Sequence, residues 1–328
     1  MLAGTHATDY YPLTVRETKS SPSERTESRS RHSEPIAALR YTMQFSIIVP
    51  VYNTGRHLGR CLAALRGLDY PRDEYEILMV DNNSTDNSPS ILAAASDIRT
   101  LREAKQGSYA ARNLAVRESR GRYLAFTDSD CMPDSGWLRA IEAAFENPRF
   151  QLILGPRRPE QDRWLMRLVS EYETQKDQLV FSSDSADLYY GFTNNMAVRR
   201  STFDTYGPFE ERPRGADTIF VRRVVNGEGC GAVSYANDMV VRHAELDGVA
   251  TYYKKMFIYG RSRTLYQHIM ATRPLNMAER LRAFRACGSG NGGVRSTLAC
   301  WLLAFLLAGG VAAWNLGSWT GRRQARRS

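Results

Sequence analysis

Short apolar runs alternate with amphipathic segments from residue 44 to about residue 150, and this alternation limits the possible folds more than any other feature of the chain. Residues 45–49 have the composition of a buried strand. Apolar side chains then recur at i, i+3, i+4 and i+7 from Leu58 to Leu65, which is the spacing of one helix face. Three more pairs follow, with predicted strands at 76–80, 98–101 and 123–127 and predicted helices ending at residues 95, 118 and 145. Four such units in succession predict an α/β fold with a doubly wound, mainly parallel sheet.

The pattern is less regular beyond residue 150. It predicts strands at 151–154, 189–198 and 239–242, and helices at 164–179, 218–225, 246–270 and 277–286. Residues 1–42 are predicted to be a disordered tail, because 18–35 consist almost entirely of Ser, Thr, Glu, Arg and Pro and cannot bury enough surface to offset their ordering entropy. Met43 stands just before the first strand and is a candidate for the true start, in which case the tail is not translated.

The net charge of +9 is concentrated at one end of the chain. Residues 254–328 contain thirteen Lys and Arg against one acid, Glu279, so this stretch carries +12 and the first 253 residues carry −3. The same stretch contains the long uncharged run 296–321, and charge and apolarity together indicate a membrane surface. No aromatic-basic sheet, zinc motif or recognition-helix pattern favours nucleic acid as the partner. Hydrophobic residues make up 43% of the chain, which excludes wholesale disorder and a multi-span membrane protein.

Polar side chains follow the ends of three predicted strands, where ligands bind in an open parallel sheet. Residues 50–53 read Pro-Val-Tyr-Asn, 81–84 read Asp-Asn-Asn-Ser, and 128–130 read Asp-Ser-Asp. An aromatic ring, a carboxylate and amide groups at neighbouring strand ends can stack on a base and hydrogen-bond to it and to its ribose. For each of the first two groups taken alone, turn formation and helix capping are the simpler explanation, because Asn, Asp and Ser do both.

Asp128 and Asp130 form the strongest candidate site. Two carboxylates that flank one residue repel each other, and a hard divalent cation with oxygen ligands relieves that repulsion. Such an ion can also hold a diphosphate. A D-x-D sequence by itself occurs often in solvated loops, but its position after the fourth predicted strand favours a metal site.

Four segments follow one another in order over about ninety residues. They are 45–53 (FSIIVPVYN), 80–86 (VDNNSTD), 107–113 (GSYAARN) and 125–138 (AFTDSDCMPDSGWL). Their order and spacing resemble the inverting family 2 glycosyltransferases of the GT-A fold, of the bacterial cell-envelope or polysaccharide type. Weaker matches continue at 195–200 and 215–218, so the resemblance covers about residues 44–266. It implies one domain over 43–270, with a Rossmann-like nucleotide-sugar half at 43–150 and an acceptor half at 151–270.

The resemblance implies transfer of a sugar from a nucleotide diphosphate sugar to a hydroxyl of a glycan or lipid-linked acceptor, with inversion and with Mg²⁺ or Mn²⁺ as cofactor. The implied nucleotide-sugar ligands are Pro50, Tyr52, Asn53, Asp81, Asn82, Arg112 and Asp128. The implied metal ligands are Asp128, Asp130 and His243, and Asn195 is implied on the acceptor side. A structural role explains a lone His such as His243 equally well. The Q-x-x-R-W motif of processive synthases is missing, which indicates that one sugar is added per encounter.

The resemblance also assigns the general base of an inverting displacement to Asp217. In the family this residue is the Asp of a Glu-Asp pair at the start of a helix, and this chain has Ala216 in place of the Glu. A helix cap ahead of Thr218 is the alternative role for Asp217. Position 82 is a second departure, since many members carry Asp where this chain has Asn82, so the base recognised there stays open.

The uncharged run 296–321 is long enough to span a membrane. Its 26 residues extend about 39 Å as a helix, against a hydrocarbon core of about 30 Å. We predict a basic juxtamembrane segment at 271–295, a transmembrane or membrane-associated helix at 296–321 and a basic tail at 322–328, with membrane contact through 254–328. A single span is preferred to a re-entrant or surface-lying pair of helices. The predicted location is the cell membrane, with the catalytic domain on its cytoplasmic face.

Two other functions are compatible with parts of the sequence. A sugar nucleotidyltransferase also combines an α/β sheet with metal-binding carboxylates, but it needs a Gly-rich basic phosphate loop where this chain has residues 50–53. A non-catalytic, membrane-associated scaffold could keep the fold without the chemistry. Ala216 supports the scaffold interpretation, and the intact D-x-D sequence opposes it.

Overall fold

The computed structural model describes residues 42–161, 163–244, 248–264, 269, 272–289 and 297–325. The predicted tail lies outside the described residues except for residue 42. Residues 290–296, which belong to the predicted juxtamembrane segment and the start of the apolar run, also lie outside them, as do residues 326–328 of the predicted basic tail.

All four predicted strand and helix units are present. They comprise β1 (Met43–Val51), α1 (Gly55–Arg66), β2 (Tyr75–Asp81), α2 (Ser88–Ala93), β3 (Arg99–Arg102), α3 (Ser108–Glu118), β4 (Gly121–Thr127), β5 (Cys131–Pro133) and α4 (Trp137–Phe145). The apolar spacing that predicted α1 is its buried face, which includes Leu58 and Leu65. The strands β1, β2 and β4 are buried along almost their whole length, as their near-continuous apolar runs require.

The second part of the chain is less regular, as predicted. It contains β6 (Leu152–Leu154), β7 (Arg157–Pro159), α5 (Trp164–Phe181), β8 (Asn195–Arg199), α6 (Arg200–Tyr206), α7 (Ala216–Glu228), β9 (Val233–Tyr235), β10 (Val241–His243), α8 (Val249–Arg263), α9 (Met277–Ser289) and α10 (Thr297–Ala325). The strand predicted at 189–198 is wrong over its first six residues, since β8 begins only at Asn195. The chain before it crosses the start of α7, where a Cβ on Gly191 would lie 2.4 Å from the carbonyl oxygen of Asp217.

Seven strands of the described chain form a central sheet in the order β3-β2-β1-β4-β8-β6-β9. Pairing is parallel for β1 with β2 and β4, for β2 with β3 and for β6 with β9, whereas β8 runs antiparallel to β4 and β6. The sheet is therefore mainly parallel, as predicted. A three-stranded sheet with the order β5-β10-β7 begins just beyond the end of β4, because only the loop 128–130 separates β4 from β5.

Helices α5, α8, α9 and α10 share an apolar core of their own, and we call them the helical platform. Within the described residues, α10 holds the one helical stretch, Thr297–Arg323, that is long and apolar enough to cross a membrane. It packs along α8 in the parallel direction, with Gly317 against Phe257 and Gly321 against Arg261. A Cβ on Gly317 would lie 2.0 Å from the carbonyl oxygen of Phe257, so the two backbones are in direct contact.

Candidate functional site

The carboxyl ends of β1, β2 and β4 open into a cleft of about 250 Å³. It is lined by Pro50, Val51, Tyr52, Thr54, Asn82, Gln106, Ser108, Arg112, Asp128, Ser129 and Asp130. Members of all three predicted strand-end groups meet here, because parallel strands end at the same edge of a sheet. The Tyr52 side chain is half exposed, so a flat base can stack on its ring.

Asn82 builds one wall of the cleft. Its Nδ2 donates to two carbonyl oxygens of the loop 103–107, at 2.9 and 2.8 Å, and its Oδ1 accepts the N–H of Gly107 at 2.7 Å. Both donors and the acceptor of the amide are therefore used within the protein. Asn82 holds the loop that carries Gln106 into the cleft lining.

Asp81 and Asn53 lie next to the cleft rather than among its lining residues. The Asp81 carboxylate is largely buried and its Oδ1 accepts the N–H of Ser84 at 3.2 Å. The Oδ1 of Asn53 accepts the N–H of Thr85 at 2.7 Å. These bonds are the turn chemistry that competed with base recognition for both positions, and the Asn53–Thr85 bond connects the ends of β1 and β2.

The two carboxylates of the D-x-D sequence face different partners. Between them, Ser129 is buried and accepts a hydrogen bond from the Thr54 hydroxyl at 2.9 Å. Asp128 forms an ion pair with Arg112, which is almost fully buried. Asp130 contacts His243 instead. Because Arg112 compensates the charge of Asp128, the protein itself relieves part of the repulsion that the sequence attributed to a cation.

His243 comes to Asp130 through the second sheet. Antiparallel pairing of β5 with β10 sets Cys131 opposite His243. The Nδ1 of His243 lies 3.6 Å from Asp130 Oδ2, and its Nε2 lies 3.3 Å from the Nζ of Lys255 on α8. A carboxylate and an imidazole thus meet at one end of the cleft.

Asp130, Cys131 and His243 offer possible metal-ligand atoms that all lie within 4.8 Å of one another. A carboxylate oxygen suits Mg²⁺ or Mn²⁺, and an imidazole nitrogen suits Mn²⁺. The Cys131 thiol does not suit a hard cation, because sulfur ligands favour softer metal ions. The residues here that fit a divalent cation are therefore Asp130 and His243, and Asp128 can join them from its ion pair.

Asp217 lies in the first turn of α7. Burial raises the pKa of Asp217, and the nearby charge of Asp128 raises it further. Hydrogen bonds from the Thr218 N–H, at 2.8 Å, and from the Tyr109 hydroxyl oppose the shift, as does the positive charge of Arg112. The Thr218 bond satisfies one of the free N–H groups in the first turn of α7, so Asp217 supports the start of its helix and also lies within electrostatic reach of the cleft.

Asn195 does not face an acceptor, and the prediction for this residue is wrong. Its side chain is fully buried, with Oδ1 accepting the indole N–H of Trp137 at 2.9 Å. Its Nδ2 donates to the carbonyl oxygens of Pro156, at 2.9 Å, and Met239, at 2.6 Å. Asn195 therefore joins α4 and β8 to the segments that lead into β7 and β10, and the physical reason for a polar residue here is internal hydrogen bonding.

Sequence reasoning did not single out Tyr109 or Lys255, or the cleft-lining residues Thr54, Gln106 and Ser108. Tyr109 stands one helical turn before Arg112 on α3, a spacing that puts both side chains on one face. That signal was available within the segment 107–113. Lys255 had no such signal, because its basic surroundings indicated a membrane surface and nothing local linked α8 to β10.

The chain resembles proteins of known family over much of its length. Residues 46–207 match the family model for Glycosyl transferase family 2. The glycosyltransferase AglE of Haloferax volcanii is 30% identical over 207 residues, which are 60% of this chain and 66% of AglE. The poly(ribitol-phosphate) beta-N-acetylglucosaminyltransferase TarS of Staphylococcus aureus is 32% identical over 117 residues, 34% of this chain and 20% of TarS. The chain thus spans just under two thirds of AglE and one fifth of TarS.

Solved structures share the fold. The mannosyltransferase PcManGT from Pyrobaculum calidifontis, in complex with GDP-Man and Mn²⁺, has a TM-score of 0.54 at 19% identity, covering 84% of this chain and 88% of that one. Glucosyl-3-phosphoglycerate synthase from Mycobacterium tuberculosis, in complex with phosphoglyceric acid, has a TM-score of 0.52 at 16% identity, covering 72% and 83%. At these identities the likeness establishes the architecture, which is the GT-A fold.

Proposed function

Since the chain belongs to glycosyltransferase family 2 through residues 46–207 and has the GT-A fold, we propose that it is an inverting, metal-dependent glycosyltransferase. It moves one sugar from a nucleotide diphosphate sugar to a hydroxyl of a glycan or lipid-linked acceptor. One observation carries this proposal: a carboxylate-imidazole pair suited to a divalent cation includes the cleft-lining Asp130, and a partly buried carboxylate with a raised pKa lies within electrostatic reach of Asp128 and Arg112 in the same lining. A cation held by the carboxylate-imidazole pair can bind a diphosphate, and the carboxylate with the raised pKa can accept the proton of a hydroxyl.

The donor half of the proposed reaction uses the D-x-D end of the cleft. Asp130 and His243 would hold Mg²⁺ or Mn²⁺, with Asp128 beside them. When bound, the cation stabilises the charge that develops on the nucleoside diphosphate as the glycosidic bond breaks. Tyr52 stacks on the base, and Arg112 holds the Asp128 carboxylate in place through their ion pair.

The acceptor half of the proposed reaction depends on Asp217. Inversion requires a carboxylate that takes the hydroxyl proton on the face of the sugar away from the diphosphate. A raised carboxylate pKa makes a stronger base, and the Tyr109 hydroxyl holds the carboxylate in place. Ala216, which replaces the family's Glu, is buried in the core, so the departure from the pattern is a packed apolar side chain.

We assign the glycosyltransferase domain to 43–270, with its nucleotide-sugar half at 43–150 and its acceptor half at 151–270. Membrane contact is assigned to 254–328, on the cytoplasmic face of the cell membrane, where a lipid-linked acceptor is accessible. Support comes from the apolar composition of α10 and from its exposed side chains Leu298, Trp301 and Phe305. Contiguous exposed apolar surface of this kind marks a binding face.

Replacing Asp130 with Asn tests the proposed function. The protein is incubated with Mn²⁺ and a panel of UDP and GDP sugars, and release of nucleoside diphosphate is measured. Asp130→Asn should remove most donor binding and release without changing the thermal unfolding profile. Asp134→Asn is the matched control, because Asp134 pairs with Arg242 on the surface nearby and should leave release intact. Undiminished release in the Asp130 variant, or in excess chelator, contradicts the proposal, and no release from the unaltered protein favours a scaffold.

A further inference from the structure

Helix α8 belongs to the helical platform and also contacts the candidate metal site. Lys255 is the contact, with its Nζ 3.3 Å from His243 Nε2 and its side chain partly buried. The neighbouring Lys254 is exposed. Two adjacent lysines of one helix therefore differ in surroundings, and it is Lys255 that contacts the imidazole next to Asp130.

The position of α8 is fixed by α10. A Cβ on Gly260 would lie 2.0 Å from the carbonyl oxygen of Trp314, and a Cβ on Gly317 would lie equally close to that of Phe257. The Ser318 hydroxyl donates to the carbonyl oxygen of Gly260 at 3.1 Å. Because backbone meets backbone at both glycines, no flexible side chain lies between the two helices there to absorb a change in spacing, and α10 supports the position of α8 from which Lys255 reaches His243.

The charges around the D-x-D sequence leave room for an anion once a cation is bound. Asp128 is paired with Arg112, and Asp130 lies beside His243, which Lys255 approaches from the other side. The two carboxylates are thus already matched by two cationic side chains. A divalent cation adds positive charge to this end of the cleft, and a diphosphate bound to that cation would lie within reach of the Lys255 ammonium group.

We propose that Lys255 binds the diphosphate of the sugar donor, and that the packing of α8 on α10 positions it for this role. The inference rests on the proposed function. It makes the helical platform part of the donor site, so that the segment assigned to the membrane also determines how tightly the nucleotide is held.

Calorimetric titration of the full chain with UDP and with GDP, in the presence of Mn²⁺, tests the assignment. Lys255→Met should weaken binding of whichever nucleotide the protein prefers by about ten- to a hundredfold, the effect of losing one charge-assisted hydrogen bond. Binding of the corresponding monophosphate, which keeps the nucleoside and lacks the second phosphate, should change much less. Lys255→Arg should recover part of the loss, and the matched control Lys254→Met should bind like the unaltered protein.

A second variant tests the role of the helix pair. Gly317→Leu should separate α8 from α10 and reproduce the loss of diphosphate affinity, while monophosphate affinity shows that the cleft is still folded. Diphosphate affinity unchanged in Lys255→Met overturns the proposal. A rise only in the KM for acceptor overturns it as well, because Lys255 would then serve the acceptor. If the unaltered protein binds no nucleoside diphosphate, the proposed function itself fails. That result differs from one in which the unaltered protein binds the diphosphate and Lys255→Met binds it equally well.

Discussion

Asp217 has structural features that fit each of the two roles that the sequence presented as alternatives. Its carboxylate accepts the Thr218 N–H in the first turn of α7 and is held by the Tyr109 hydroxyl, yet burial keeps its pKa raised. A carboxyl group with a raised folded-state pKa favours the folded state most at low pH, and this contribution is lost as the pH rises through the raised value. At neutral pH the ionised Asp217 therefore does not stabilise the fold.

Asp217→Asn separates catalysis from stability. Asn keeps the shape and an oxygen that can accept the Thr218 N–H but cannot take a proton, so transfer should fall by about two to four orders of magnitude while donor binding is retained. The melting temperature at pH 7 should be equal or higher, because the desolvation of a charge is removed. In the unaltered enzyme the acid limb of the rate profile should lie above the ordinary Asp value of about 3.9. Near-normal transfer with saturating donor would show that the base is elsewhere.

Asn195 is a structural residue, and its replacement tests that correction. Asn195→Ala leaves the Trp137 indole N–H and the carbonyl oxygens of Pro156 and Met239 without their partner in a fully buried place. Since each unsatisfied buried group costs about 1–3 kcal/mol, chemical denaturation should show a loss of about 3 kcal/mol or more. Asn237→Ala is the control, because Asn237 is exposed and should change stability by about 0.5 kcal/mol or less. Equal effects from the two substitutions would contradict the structural role.

At the scale of elements, α9 begins with a capping box that carries a pH signature. The Glu279 N–H donates to Asn276 Oδ1 at 2.9 Å, the Asn276 N–H donates to Glu279 Oε2 at 2.7 Å, and Arg273 binds both carboxylate oxygens at 2.8 Å. The Arg273 side chain is the main cause that lowers the pKa of Glu279 to about 2. A carboxyl group with a lowered folded-state pKa stabilises the fold at pH values above the ordinary Glu pKa of about 4.3, and this stabilisation is lost as the pH falls through about 2.

Glu279→Gln should therefore destabilise the start of α9 only where the carboxylate is charged. Hydrogen exchange of the α9 amides should be faster in the variant than in the unaltered protein at pH 6, and the difference should narrow steadily between pH 4.5 and pH 2. The effect on global stability should be about 1 kcal/mol or less, since the ion pair is partly solvated. A difference in exchange rate that does not change with pH would mean that the shape of the Glu279 side chain, and not its charge, stabilises the start of α9.

At the scale of the whole molecule, the parallel packing of α8 on α10 bears on how the chain meets a membrane. Phe257 lies against Gly317 and Arg261 against Gly321, so the second half of α10 cannot enter hydrocarbon without α8. Helix α8 carries Lys254, Lys255, Arg261 and Arg263. Tyr253, which precedes Lys254 and Lys255, contacts Gly309 in the middle of α10, and a cation near a bilayer centre costs about 2.5–3.5 kcal/mol, so spanning is disfavoured. The structure thus favours the surface-lying arrangement over the single span preferred from sequence.

We therefore expect α10 to lie in the plane of the membrane surface. The full chain should float with vesicles that contain anionic lipid and should bind less at high salt, because the basic quarter contributes about 1 kcal/mol per cation near the surface. A tag at the C-terminus should be digested by protease added outside the vesicles. Protection of the tag would indicate a spanning helix, and a chain that stays soluble at low ionic strength would contradict membrane binding altogether.

The sequence by itself determined the four strand and helix units before residue 150 and the strand ends that meet at the cleft. Period and composition report local burial, and parallel strands deliver their carboxyl ends to one edge of the sheet whatever the details of packing. For this reason the sequence alone predicts that the groups at 50–53, 81–84 and 128–130 lie close together.

Only the tertiary structure decided what each polar group does there. Asp128 and Asp130 have different partners because Arg112 reaches Asp128 and because the pairing of β5 with β10 brings His243 to Asp130. The internal role of Asn195 and the approach of Lys255 likewise depend on partners far away in the chain. Such contacts leave no periodic signal, because a hydrogen bond between distant segments is set by how the layers pack and not by the residues on either side of it.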